Sequence, residues 1–182
     1  MGEHDVTTRS LRTVLERRIQ TLQARPSMAQ AVFRVDTRLV DRLLCQAQIR
    51  DLPPVLVDEP PAMGGSNQAP TPVEMVLAAL GTCQEIMYVV YAQLMGLQLD
   101  GVEVKLKGHL NLQGLFGLAE DVPPGMTHVE YQVFLDSPEP EEQLQQLVQA
   151  VDTHCPVLDM LTRPVEVECH VAFQQGARHG DG

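Results

Sequence analysis

The run from Pro72 to Met95, PVEMVLAALGTCQEIMYVVYAQLM, constrains this chain more than any other segment. It is apolar nearly all round, with Glu74, Gln84, Glu85 and Gln93 as its few polar points. A helix of that profile needs protein on most sides. The sequence therefore predicts a helix buried in the core, with Pro72 at its first position and Gly96 at its stop. At 182 residues there is chain enough to cover such a helix once, as one domain with tails. The 44% hydrophobic and 20% charged content is that of a globular protein rather than a disordered one.

The cover is read from periodicity. Thr7 to Gln23 places Leu11, Val14, Leu15, Ile19 and Leu22 near helical spacing, and Pro26 closes that amphipathic helix. Ala31 to Arg38 reads as a strand through Val32, Phe33 and Val35, Leu43 to Arg50 as a second, and Val55 to Val57 as a short extended piece in a proline- and glycine-rich loop reaching Asn67. Val102 to Leu112 and Thr127 to Leu135 alternate apolar and polar residues as half-buried strands do, with a loop from Gln113 to Gly125 between them. Ser137, Pro138 and Glu139 start a helix whose apolar face is Leu144, Leu147, Val148 and Val151. A short helix from about Pro156 ends before Pro164, and Val165 to Phe173 reads as a closing strand with Cys169 on its core face. The tail beyond is expected to be disordered. The sum is an α+β fold.

Charge and composition remove several functions. The net charge of −11 repels a phosphate backbone, so no nucleic-acid partner is expected. No stretch of about 18 uninterrupted apolar residues occurs and the first residues, MGEHDVTTRS, are acidic and polar. Neither a membrane span nor a secretory signal is expected, and the expected location is the cytoplasm. Absence of Trp and an aromatic content of 4% leave little for stacking on bases or sugars.

Four cysteines, 45, 83, 155 and 169, stand far apart with no CxxC pair. No ligand spacing supports a metal site, including one from Cys155, His154 and Cys83, and in the cytosol the thiols should be reduced. Cys45 and Cys169 are read as packing residues, since cysteine is among the most often buried types. Cys155 differs because Pro156 suits a first helical turn, which sets the thiol where unpaired amides favour a thiolate and raise its reactivity. His154 adjoins it, but neighbours in sequence need not face one another. Cys83 lies mid-helix behind the small residues Gly81 and Thr82, where lowering its pKa needs a neighbour such as an arginine.

The segments VDEPPAMGGSNQAPTPVEMVLAALGTC, Val57 to Cys83, and CPVLDMLTRPVEVE, Cys155 to Glu168, together resemble the OsmC/Ohr family of bacterial thiol-dependent peroxidases. The shared marks are the Gly64–Gly65 loop, the Pro72-x-Glu74 helix entry, the small-residue approach to Cys83 and the Cys-Pro-Val opening of the second segment. The resemblance implies antiparallel sheets wrapped around the buried central helix in an intertwined homodimer. It divides the chain into an amino-terminal helical extension (1–28), an OsmC-like domain (29–174) and a tail (175–182).

The same resemblance implies that Cys83 is the nucleophile toward organic hydroperoxides and Cys155 the resolving thiol, with a dithiol as reductant and no cofactor. The family also uses an arginine from the first strands, here Arg38 or else Arg34, and a glutamate ten residues before the first cysteine. That position is Val73 here; Glu74 is the nearest carboxylate, one residue or about 100° round the helix from it. The alternative expectation is a noncatalytic member that binds a small apolar ligand in the dimer cleft.

Overall fold

The computed structural model describes residues 4–173, so the expectation for the tail lies outside the described residues. Helix α1 spans His4–Ala24 and is followed by a 3-10 turn at Pro26–Ala29. Strands β1 (Asp36–Asp41), β2 (Leu44–Gln48) and β3 (Val55–Val57) form an antiparallel sheet in that order. Helix α2 (Pro72–Met95) leads to β4 (Gly101–Leu110), the single helical turn α3 (Leu112–Leu115) and β5 (Met126–Asp136). Helices α4 (Glu141–His154) and α5 (Pro156–Thr162) complete the order.

The ends of α2 fall where the sequence put them, for identifiable reasons. Thr71 is the N-cap: its hydroxyl accepts from Glu74 N while the Glu74 carboxylate accepts from Thr71 N, a reciprocal capping box. Gly96 ends the helix with φ +73°, a left-handed conformation that glycine adopts without steric cost.

Strands β4 and β5 pair antiparallel from Gly101↔Asp136 to His109↔His128, with a register shift before Leu110. Their alternation sets Val102, Val133 and Leu135 against α2 and α4, where Tyr88, Ala92, Leu147 and Val151 are fully buried. The apolar row predicted for α4 is thus the row that packs.

Two expectations about burial are corrected. Helix α2 is long and apolar enough to cross a membrane by length and composition alone, yet only Leu80, Gly81, Gln84, Tyr88 and Ala92 are buried. Ile86 and Val89 on its other side, and Val73 and Val76 in its first turns, are exposed, because α4, α5, β4 and α1 pack on the rest of α2 and leave these positions uncovered. The strand read at Val165 to Phe173 does not form either. The segment has no ladder partner and is exposed along its length, Cys169 included. A strand exists only by pairing its amides and carbonyls with another, and no strand edge among the described residues pairs with it.

The amino-terminal strand is shifted by the same cause. Ala31 to Val35 lie outside β1, with Phe33 92% exposed. The β1–β2–β3 sheet makes no extensive contact with α2, α4, α5 or the ribbon, and so stands as an arm.

Candidate active site

Helix α2 is set on the ribbon by two glycines. A β-carbon at Gly81 would stand 2.8 Å from Leu106 Cδ1, and one at Gly108 would overlap Met126 Sδ and stand 3.2 Å from Leu77 Cδ1. These close approaches fix the rotation of α2 about its axis. Cys83 lies two residues beyond Gly81, about 200° around the helix, and so points away from β4.

What Cys83 meets there is Cys155. The two Sγ atoms are 3.5 Å apart, although 72 positions separate the residues in sequence. Cys155 sits at the junction of two helices: its N–H donates to Val151 O to finish α4, and its carbonyl accepts from Asp159 N to begin α5. Cys155 is fully buried and Cys83 partly accessible. A disulfide needs about 2.05 Å, so a shift of roughly 1.5 Å would close this pair.

The expected activation of Cys155 by the helix start is overturned. Burial pushes its thiol above the ordinary value, and the neighbouring Cys83 pushes the same way; the amides of Leu158 and Val157 pull it down without prevailing. The sequence shows the helix end but not the depth, and here the depth wins.

Beside the pair lies a polar group that the sequence did not single out. The Tyr131 hydroxyl donates to Asp152 Oδ1 at 3.4 Å. Burial, then the Asp152 charge, raises the Tyr131 phenol, and the same causes together with Tyr131 push Tyr88 up to about 12. Tyr131, Leu80 and Leu158 line an open cavity of about 410 Å³ between α2, β5 and α5. Leu80 is one turn before Cys83 and Leu158 one turn after Cys155, and neither thiol is itself part of the lining. The signal for Asp152 was its place three residues before Cys155, one turn away on α4.

The remaining predicted residues are not brought to the thiols within one chain. Arg38 is on β1, where its guanidinium donates to Gln46 Oε1 at 3.3 Å across the ladder, and Arg34 lies in the exposed segment before it. The carboxylate of Glu74 is held at the cap of α2, nine residues or roughly 13 Å along the axis from Cys83. The His154 ring bonds Ala150 O through Nδ1 and stacks on Tyr91 at 5.1 Å, away from any dyad with Cys155. Cys45 is half-buried within β2. Among the described residues no cluster of His, Cys, Asp or Glu could hold a metal ion.

A family model described as OsmC-like protein matches residues 65–170, more than half of the chain and both site cysteines. The chain belongs to the OsmC-like family. Solved structures agree on the fold of this OsmC-like protein. An OsmC-like protein of Mycoplasma pneumoniae superimposes with a TM-score of 0.63 at 14% identity, covering 72% of this chain and 88% of that one. An organic hydroperoxide resistance protein, OsmC, of Legionella pneumophila gives 0.56 at 16% identity over 73% and 92% of the two chains. One from Elizabethkingia anophelis gives 0.57 at 14% over 73% and 91%. No curated protein matches the OsmC-like chain.

Proposed function

We propose that this OsmC-like protein reduces organic hydroperoxides with Cys83 and Cys155, as a cytoplasmic homodimer. The observation that carries the reading is the 3.5 Å between the two sulfurs, at a position where one is accessible and the other is not. Hydroperoxide resistance in the names of the Legionella and Elizabethkingia neighbours supports the substrate class.

The chemistry follows from that asymmetry. The accessible Cys83 thiolate attacks the distal oxygen of ROOH; an S–O bond forms, the O–O bond breaks, and the alkoxide takes a proton to leave as ROH. Sulfur is oxidised to a sulfenic acid and the peroxide is reduced. Cys155 then loses its proton and attacks Cys83 Sγ; the S–S bond forms, the S–O bond breaks, and the departing hydroxide takes that proton to become water. An external dithiol reduces the disulfide by exchange.

The dimer reading is supported by what the single chain leaves uncovered. The exposed face of α2, the arm, Phe33 and the 163–173 segment, with Val167 85% exposed, add up to more apolar surface than a lone soluble chain presents. A second copy would cover them, and docking of the arm is how Arg38 would reach a thiol pair.

The test is consumption of an organic hydroperoxide by purified protein with a dithiol, beside a Cys83→Ser variant of unchanged circular dichroism. Turnover lost in the variant is the expected result. Absence of turnover in the wild type, across several hydroperoxides and dithiols, would overturn the enzyme reading. Sedimentation should give twice the chain mass; a monomer would sink the dimer.

A further inference from the structure

Among the described residues, the side chain of Gln84 stands alone in being buried with neither Nε2 nor Oε1 hydrogen-bonded, and none of it is exposed. A buried amide without partners bears the full desolvation cost of a donor and an acceptor. Native proteins hold few such groups, and each calls for a partner that arrives at some stage.

The place of Gln84 indicates the stage. It follows Cys83 in α2, with consecutive α-carbons about 3.8 Å apart. Leu80, Gln84 and Tyr88 form one buried row four residues apart. Long side chains on a helix lean toward its amino terminus. The carboxamide is therefore carried back over the turn of Leu80 and Gly81, to the axial level of the thiols and about 100° round the helix from Cys83. Of the polar groups nearby, the Tyr131 hydroxyl donates to Asp152 and the Cys155 thiol donates to Cys83 Sγ.

Resting on the peroxidase reading above, we propose that Gln84 is a further catalytic residue, whose carboxamide binds the sulfenic oxygen formed on Cys83. Nε2 donates to that oxygen and Oε1 accepts its S–O–H proton, a two-point match for a group that is itself donor and acceptor. The bond is made only after oxidation, and the Nε2 donation strengthens as negative charge grows on the departing oxygen, so it stabilises the transition state of closure more than the sulfenic acid itself. It holds the oxygen as the leaving group while Cys155 attacks. As the S–O bond breaks, the hydroxide departs with the proton released from Cys155, and the amide returns to its unpaired state.

The experiment mixes reduced protein with one equivalent of tert-butyl hydroperoxide and a 1,3-dione trap, and follows intact mass with time. Gln84→Met keeps the length of the side chain and removes the amide. The expected result is oxidation of Cys83 at the wild-type rate, disulfide closure slowed roughly tenfold, the worth of one hydrogen bond, and trapped sulfenic acid that the wild type does not accumulate. The melting temperature should not fall, since the variant no longer buries an unpaired amide; a merely structural role would lower it and slow both steps alike. Closure at the wild-type rate overturns the proposal. Should Gln84→Met fail to fold, Gln84→Asn draws the amide back by one carbon, and the same two closure outcomes decide. Wild-type protein that forms neither adduct nor disulfide overturns the peroxidase reading and this proposal together, whereas unchanged closure in the variant overturns this proposal alone.

Discussion

Gly65 lies so close against Glu59 that a β-carbon at 65 would overlap the Glu59 carbonyl oxygen. The obstacle is backbone on both sides, and no rotamer change relieves it. Gly65→Ala should therefore destabilise the protein by about 3 kcal/mol, in the range of overpacked sites. Urea denaturation would show a lower midpoint with an unchanged slope; a midpoint equal to the wild type would show that the loop opens freely.

The same loop turns around a buried carboxylate. Asp58 accepts from the backbone N–H groups of Glu59, Ser66 and Gln68. The Gln68 amide foremost, with the other two, holds its pKa below the ordinary 3.8 despite burial. A depressed carboxylate adds stability above its unfolded pKa and loses it as pH falls through the folded one. Asp58→Asn should therefore flatten the acid limb of stability below about pH 4, read from thermal melts between pH 2 and 6. An acid limb of unchanged steepness would assign that dependence to other carboxylates.

The closure step should want alkali. Burial and Cys83 hold the Cys155 thiol above its ordinary value of 9.0, and only the thiolate attacks. In single turnover, the rate of disulfide formation should keep rising through pH 9. A plateau reached near pH 7 would mean that another group, with Tyr131 and Asp152 the nearest candidates, takes the proton first.

Glu74 and its cap separate structure from catalysis. Thr71→Ala removes the hydroxyl that bonds Glu74 N and should cost about 1 kcal/mol. Glu74→Gln keeps an acceptor for Thr71 N and should leave hydroperoxide turnover within about twofold. A large loss of kcat in Glu74→Gln with an unaltered melting temperature would place the carboxylate in the reaction after all.

The limits of α2 were legible because Pro72 and Gly96 act locally, and β4, β5 and α4 because a period of 2 or 3.6 is written in consecutive residues. The cysteine pair came instead from likeness to a family, since nothing in the spacing of Cys83 and Cys155 says that they meet. Alternation at Val165, Val167, Val171 and Phe173 shows which face is apolar, and is silent on what chain covers it. The pKa of Cys155 was misread for a related reason: a helix start is local, whereas burial is a property of the whole fold. Gln84 was visible as a polar residue in an apolar helix, but its isolation needed three dimensions.

The 72 positions that separate Cys83 from Cys155 also make any bond between them the closure of a large ring in the unfolded chain. Closing a ring of that size removes conformational freedom from the denatured ensemble worth about 4 kcal/mol. Oxidised protein would then melt at a higher temperature than reduced protein, so that calorimetry alone reads how much of a sample has reacted and not yet been recharged.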